Sequence, residues 1–438
     1  MSKRPRLLFL AYFFPPANTA GCVRTWNIAK YLSRAGWDVT VVTPNPSVWR
    51  RAEFVDQVAV ELEREGIQRI LTGHRLRHLL PDYLQVPNSG LPWFVGGVCR
   101  QTARYFEIDP AVGWVQDATR ACEALSRNDV DVILASGSPF ISFSLAKKLS
   151  DRLSCPYVLD YRDLWTGNPY RLHSPRMATV RLESELLSGC AAVTTVSDSL
   201  RADLGSRFTL ASKLHVVTNG FCPEELSKIR PAVFDHFAVV YTGQFYPPKS
   251  VISPVAAALR EVKRTGMASQ PWRLHYYGAH EAHVRNTARQ FGLEREVMLH
   301  GKVSRTEALA AVRGAGIAVV ITSGNKESTS ADRGVVTAKL FEALGLGTST
   351  LVIAPQGSDI EAITAQTGLA RCFPGNDIGG ISFFLAQAML GDLPDPKNPG
   401  AYSWPVIVQD LDALLREVVG LKASTVSYKR REPTRVKA

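Results

Sequence analysis

Two short stretches of the chain carry residue types suited to an anionic, hydroxyl-bearing ligand. In TAKLFEALGLG (337–347), a helix that starts at Thr337 turns the free backbone N–H groups of Thr337 to Lys339 outward, and Lys339 adds a cation beside them. That combination suits a diphosphate. Glu342, one turn further on, is spaced to accept hydrogen bonds from the two vicinal hydroxyls of a ribose. The same residues also fit an ordinary solvated helix with a surface Lys–Glu pair. Near the other end, YFFPPANTAGCVRTW (12–26) joins an apolar run to a helical one through Pro15, Pro16 and Gly21. That turn either approaches a phosphate-bearing ligand or only reverses the chain.

The elements that must position these residues follow from hydrophobic periodicity. RLLFLAYFF (6–14) and WDVTVVTP (37–44) have the β-branched and aromatic content of buried parallel strands. Between them Val23, Ile28, Ala29, Tyr31 and Leu32 recur at near-helical spacing, which makes a βαβ unit. VDVILAS (130–136), PYVLDY (156–161), AAVTTVS (191–197) and KLHVVTN (213–219) continue the series. A second series opens at 237 with FAVVYTG and runs through WRLHYYG, VMLHG, IAVVITS and STLVIAP, each separated by a helical pattern. The Pro- and charge-rich stretch GFCPEELSKIRPAVFDH (220–236) lies between the two series and reads as a linker.

The expected fold class is therefore α/β, with two doubly wound Rossmann-like domains facing each other across a cleft. The N-terminal domain is placed at 1–222 and the C-terminal one at 235–400. An amphipathic helix at 401–422 is expected to pack back toward the N-terminal domain, and 423–438 reads as a basic flexible tail. A ligand is expected where the carboxyl ends of the two sheets meet.

The chain has 438 residues, 45% hydrophobic and 21% charged, which supplies ample core and argues against general disorder. Its formal charge of +11 suits phosphate-bearing ligands, anionic lipid or nucleic acid without choosing among them. No nucleic-acid module accompanies that charge, so nucleic acid is not expected as a partner. The seven cysteines form no C-x-x-C pair, which argues against a zinc site or a disulfide framework and for a reducing, cytoplasmic setting. The opening MSKRPRLLFLAYFFPP places basic residues before an apolar run, but the run is short and lacks a small-residue cleavage site, so it reads as a first strand. No apolar stretch reaches the length needed to span a bilayer. LPWFVGGVCRQTARYFEIDPAVGW (91–114) mixes Trp93, Phe94, Tyr105, Phe106 and Trp114 with Arg100 and Arg104. It fits a core helix, or a patch lying peripherally on an anionic membrane at its inner face, with the basic tail in support.

Taken in order, YFFPP…AGCVRTWNIAKYLSRAGWDVTVVTP, DVILASGSPF, VLDYRDLW, TTVSDSLRADL, VVTNGF, VVYTGQFYPPKS, LHGKVSRTEALAAVRGAGIAVV and KLFEALGLGTSTLVIAP give the chain a family likeness. It resembles the retaining glycosyltransferases of family 4 (group 1), which have the two-domain GT-B fold and use nucleotide-activated sugars. The resemblance implies that Gly21 lies in the loop whose main chain approaches the donor diphosphate. It implies that Gly243 and Lys249 of YTGQFYPPK face that diphosphate, with Gln244 where an arginine is usual. It implies further that the backbone near Val303 holds the base, and that Thr337, Lys339 and Glu342 hold the phosphates and ribose. Asp163, just past a strand end, is placed to meet the acceptor hydroxyl or the transferred sugar, and fits an N-cap or a partner of Arg162 as well. Asp163 and Lys249 are the catalytic candidates.

The chain departs from the family pattern at two further positions. Gly334 stands eight residues before Glu342, where the family often has a first glutamate, so that Glu327 or a backbone group of the loop GNKESTSADRG takes its role or the role is missing. Ser136 stands where many relatives carry a histidine near the donor sugar. Ser136, Arg162 and Glu327 are accordingly candidates for the acceptor or sugar side. The reaction the family implies needs no cofactor or metal, the donor being a co-substrate, and DVD (129–131) begins a strand rather than forming a metal-binding loop. The acceptor is expected to be a glycan or a lipid-linked sugar. Two alternatives stay open: a UDP-sugar epimerase of the same fold, for which Asp163, His280 and His283 are the acid–base candidates, and a catalytically weak nucleotide-sugar-binding subunit. An NAD-type oxidoreductase is disfavoured by the lack of a G-x-G-x-x-G turn.

Overall fold

A computed structural model describes residues 4–17, 20–48, 55–75, 101–103, 105–171, 173–324, 329–393 and 399–421. The first sheet is built from β1 (Arg6–Leu10), β2 (Asp38–Pro44), β3 (Gln68–Thr72), β4 (Val132–Gly137), β5 (Tyr157–Tyr161), β6 (Ala192–Thr195) and β7 (Leu214–Val216). Its strands are parallel in the order β3-β2-β1-β4-β5-β6-β7. Strands β4, β5 and β6 are buried along their whole length, as predominantly apolar runs require when helices cover both faces, and the polar Ser136, Asp160, Thr194 and Thr195 are buried with them. The helices are α1 (Ala20–Arg34), α2 (Val55–Arg64), α3 (Val112–Ala121), α4 (Ile141–Leu153), α5 (Met177–Gly189) and α6 (Asp198–Arg207).

After the short α7 (Pro223–Leu226) a second parallel sheet follows: β8 (Phe237–Thr242), β9 (Trp272–Tyr277), β10 (Val297–Leu299), β11 (Ile317–Ile321), β12 (Thr350–Ile353) and β13 (Ala370–Phe373), in the order β10-β9-β8-β11-β12-β13. On one face lie α8 (Ser253–Thr265), α9 (Glu281–Phe291) and α14 (Ile378–Met389). On the other lie α10 (Arg305–Gly314), α12 (Ala338–Leu346) and α13 (Asp359–Thr367). A four-residue helix, α11 (Ser330–Arg333), leads into α12.

Both sheets reverse their order beside the first strand, at β1/β4 and at β8/β11, which opens a crevice at the carboxyl ends. Those ends face each other. Ser197, after β6, donates from its hydroxyl to the Gly334 carbonyl at 2.8 Å; Asn219, after β7, donates to the Val336 carbonyl at 3.2 Å; the Tyr170 hydroxyl reaches the Thr322 carbonyl, after β11, at 3.3 Å. The last helix, α15 (Trp404–Val418), returns to the first domain, where Trp404, Ile407, Leu411 and Leu415 share a core with Leu7, Ile28 and Leu32. Asp412 of α15 accepts from the Trp37 indole at 2.6 Å and from Arg416 at 2.8 Å.

Some expected elements differ. The strand in RLLFLAYFF ends at Leu10, and the buried residues after it leave the sheet toward Pro15. Trp114 is a core residue: it is fully buried in α3, with its indole donating to the Thr72 hydroxyl at 2.8 Å, because α3 packs beside β3. Tyr105 and Phe106 are exposed, with the Arg176 guanidinium over both rings at 5.3 and 5.0 Å. Residues 91–100, Arg104, Cys99, Glu327 and the basic tail lie outside the described residues. Among the described residues no helix is long and apolar enough to cross a membrane. The six described cysteines are free thiols.

Candidate functional site

On the C-terminal side the site grows from the start of α12. Thr337 is its N-cap, and its hydroxyl accepts the Lys339 N–H at 3.4 Å. Lys339 then reaches across the crevice to the loop after β8. Its ammonium lies 3.5 Å from the Tyr241 hydroxyl and 4.9 Å from the centre of the Tyr241 ring. Gly243 is favoured there by its φ of +111°, and an added Cβ would come 2.4 Å from the Lys339 Nζ, so that the ammonium would have to move aside. Burial pushes Lys339 down to about 8, against an opposing pull from Glu342. An ammonium in such a place gains from an anion more than an exposed lysine does.

The loop is held open by its own bonds. The Tyr241 hydroxyl donates to the Gln244 carbonyl at 2.9 Å, Tyr276 donates to the Gly243 carbonyl at 3.0 Å, and His280 Nδ1 accepts the Phe245 N–H at 3.1 Å. Gln244 itself is exposed, its amide oxygen 3.5 Å from the Tyr246 hydroxyl. His280 is thereby a clamp for this loop, and His283 packs on Phe245. Lys249, at the end of the same loop, is bonded to Asp332 Oδ1 at 2.6 Å and to the Pro169 carbonyl of the opposite domain at 2.9 Å. Glu342 meets Arg305 at 2.5 Å, and Arg305 also holds Glu225 at 3.0 Å. Val303, between β10 and α10, packs half-buried against the α10 core.

On the N-terminal side Gly21 lies in the first turn of α1, and a Cβ there would meet Arg162 Nη1 at 1.9 Å. The glycine therefore makes room for a guanidinium as well as for any ligand. Arg162 donates to the Ser138 carbonyl at 2.9 Å and covers the Phe13 ring at 5.4 Å, while its Nε is buried without a hydrogen bond. Asp163 beside it is exposed, 3.9 Å from Arg162 Nε. The buried Ser136 donates from its hydroxyl to Asp160 Oδ2 at 3.1 Å.

Asp160 is the centre of a buried network that sequence reading missed. It takes a two-point bond from Arg24, at 2.6 and 2.9 Å, and a third from Thr194 at 2.8 Å. Burial alone would raise its carboxyl; Arg24, Thr194 and Ser136 outweigh that and hold it below the usual range. Arg24 goes on to the carbonyls of Val217 and Thr218 and to Asn219, whose amide then bonds Val336 just before the N-cap of α12. The two halves of the site are thus joined through a chain of buried and half-buried hydrogen bonds.

Gly334 has a packing reason. An added Cβ would lie 2.6 Å from Leu200 of α6, so a glutamate at this position collides with the neighbouring domain. The carboxylate that the segment does supply is Asp332, two residues earlier and almost fully buried. T-x-x-D, Thr329 to Asp332, is a capping-box pattern and was the available signal. Among the described residues no cluster of three or more His, Cys, Asp or Glu side chains is arranged to hold a metal ion.

The profile of the glycosyl transferase 4-like domain matches residues 21–220. No curated protein matches the sequence. Solved structures do resemble the fold. Sucrose-phosphate synthase from Thermosynechococcus elongatus superposes with TM-score 0.61 at 17% identity, over 95% of this chain and 94% of that one. A glycosyltransferase from Rickettsia africae ESF-5 gives 0.58 at 14% identity, over 95% and 99%. Anabaena Alr3699/HepE, solved in complex with UDP and glucose, gives 0.57 at 14% identity, over 94% and 100%.

Proposed function

We propose that the chain, whose residues 21–220 match a glycosyl transferase 4-like domain and whose fold resembles that of GT-B glycosyltransferases, is a retaining, metal-independent glycosyltransferase using a nucleoside-diphosphate sugar. The observation that carries this reading is the half-buried ammonium of Lys339 facing Gly243 at the N-terminus of α12, one turn before Glu342. Those groups suit a diphosphate and a ribose in that order. The complex of Alr3699/HepE with UDP and glucose favours UDP over GDP as the carrier.

In the proposed reaction the bond between the sugar's anomeric carbon and the diphosphate oxygen breaks, and a bond to the acceptor oxygen forms on the same face. The acceptor proton passes to the departing phosphate oxygen. Lys339, Lys249 and the α12 N–H groups stabilise the charge that develops on the leaving diphosphate. Asp163, exposed on the opposite wall, orients the acceptor hydroxyl or the sugar. Glu342 would exchange its bond to Arg305 for the ribose hydroxyls, or share it with them. The acceptor we propose is a surface glycan or a lipid-linked sugar, the exposed Tyr105 and Phe106 under Arg176 offering a peripheral contact with an anionic bilayer.

The test is release of nucleoside diphosphate across a panel of UDP- and GDP-sugars with folded protein. Turnover is expected with at least one UDP-sugar, and Glu342→Ala is expected to weaken UDP binding about 10-fold or more. A folded protein silent across the panel overturns the proposal.

A further inference from the structure

Lys249 and Asp332 come from two separate elements, the loop after β8 and the four-residue α11. The loop is closed by reciprocal backbone bonds between Tyr246 and Ser250, at 3.1 and 3.0 Å. Asp332 is fixed from its own side: Oδ2 accepts the Thr329 N–H at 3.0 Å and the Thr329 hydroxyl at 2.8 Å. That leaves Oδ1 for the lysine, at 2.6 Å. The Asp332 side chain is only 4% exposed, so without Lys249 its charge would be buried and uncompensated. A lysine ammonium has three donors. One goes to Asp332 and one to the Pro169 carbonyl across the crevice, with the Tyr170 ring 5.6 Å away, which leaves the third for a ligand oxygen.

The seat of α11 ties this to the arrangement of the domains. The Gly334 carbonyl accepts from Ser197 of the first domain at 2.8 Å, and Gly334 is packed on Leu200 so closely that no side chain fits. Asp332 therefore occupies its position against a surface that the other domain provides. A lysine stem is long and flexible, and a group oriented beforehand spares the reaction that loss of freedom.

We infer that Asp332 is a positioning residue for the transfer reaction, holding Lys249 with its remaining N–H directed at the donor diphosphate while the two domains are together. The inference rests on the reading of Lys249 as a diphosphate ligand. It assigns to Asp332 an indirect part, through the lysine, in place of the direct sugar contact that a glutamate at 334 would make.

The experiment compares D332N, K249M and the double variant in the full chain, by steady-state release of nucleoside diphosphate and by thermal melting. D332N is expected to lower kcat about 10- to 100-fold while KM moves less than about 3-fold, the size of one charge-assisted contact made in the transition state. K249M is expected to lose at least as much, and adding D332N to K249M is expected to cost nothing further. D332E, which keeps a carboxylate, is expected to recover part of kcat. If D332N does not fold, T329V removes one of the groups that fix the carboxylate, and a severalfold loss that vanishes in the K249M background is expected. A D332N or T329V loss that persists in the K249M background marks a purely structural role and overturns the inference, as does an unchanged kcat in a folded D332N. K249M with full kcat overturns the reading of Lys249 itself, whereas an impaired K249M beside an indifferent D332N overturns this inference alone.

Discussion

Lys339 is the group whose charge state the proposed reaction feels most directly. Burial holds its ammonium down to about 8, so at neutral pH it is charged, but only narrowly, and near pH 8.5 the free protein carries it largely neutral. A bound diphosphate favours the charged form and lifts that value. The sign follows: affinity for UDP is expected to hold below about pH 7.5 and to fall as pH rises through about 8, with proton uptake on binding above that point. Calorimetry at pH 8.5 in buffers of different ionisation enthalpy reads that uptake. K339R, whose guanidinium stays charged, is expected to abolish it, and K339M to weaken UDP binding by about 1.5–3 kcal/mol. Binding that is flat from pH 7 to 9 in the unaltered protein would remove Lys339 from the site.

Among the elements, α11 shows how packing decides chemistry. Its C-terminal glycine touches α6 of the other domain, so Gly334→Glu is expected to give no gain in activity and to lower stability by about 1–3 kcal/mol, seen as a lower melting temperature. A G334E variant that melts normally and turns over faster would show that this segment yields and that a glutamate can be accommodated. The central strands were legible because VILASG, YVLDY and IAVVI are predominantly apolar, with Ser136 and Asp160 the polar exceptions, and are bounded by turn residues. β3 and β13 were not, being edge strands whose partial burial lets polar residues such as Gln68, Arg69 and Arg371 interrupt the run. At the site, Gly243 came only with the family resemblance, whereas Lys339 could be read from local pattern because a helix start is a local signal. Asp332 and the Arg24–Asp160 bond could not, since they depend on contacts between residues 83 and 136 positions apart.

At the scale of the whole molecule, the core does not respect the order of the chain. The glycosyl transferase 4-like match ends at residue 220, yet the sheet face lined by Leu7, Phe9, Val39 and Val132 is completed by Trp404, Ile407, Val408, Leu411 and Leu415 of α15. The indole of Trp37 finds its acceptor on that helix as well, in Asp412. A fragment of residues 1–222 would expose this face and leave the Trp37 N–H without its partner. Burial of one large apolar side chain contributes about 1.5–3 kcal/mol, so five of them outweigh the usual stability of a domain, about 5–15 kcal/mol, or come close to it. The fragment 1–222 is therefore expected to lack cooperative melting, to bind a hydrophobic dye and to be cut readily by protease. The full chain is expected to resist all three. W404A in the full chain gives the graded version, with an expected loss of about 3–5 kcal/mol in denaturant unfolding. Cooperative unfolding of the 1–222 fragment would show that the first domain closes its core without α15. The return of the last helix would then serve to set the angle between the domains rather than to hold the first one together.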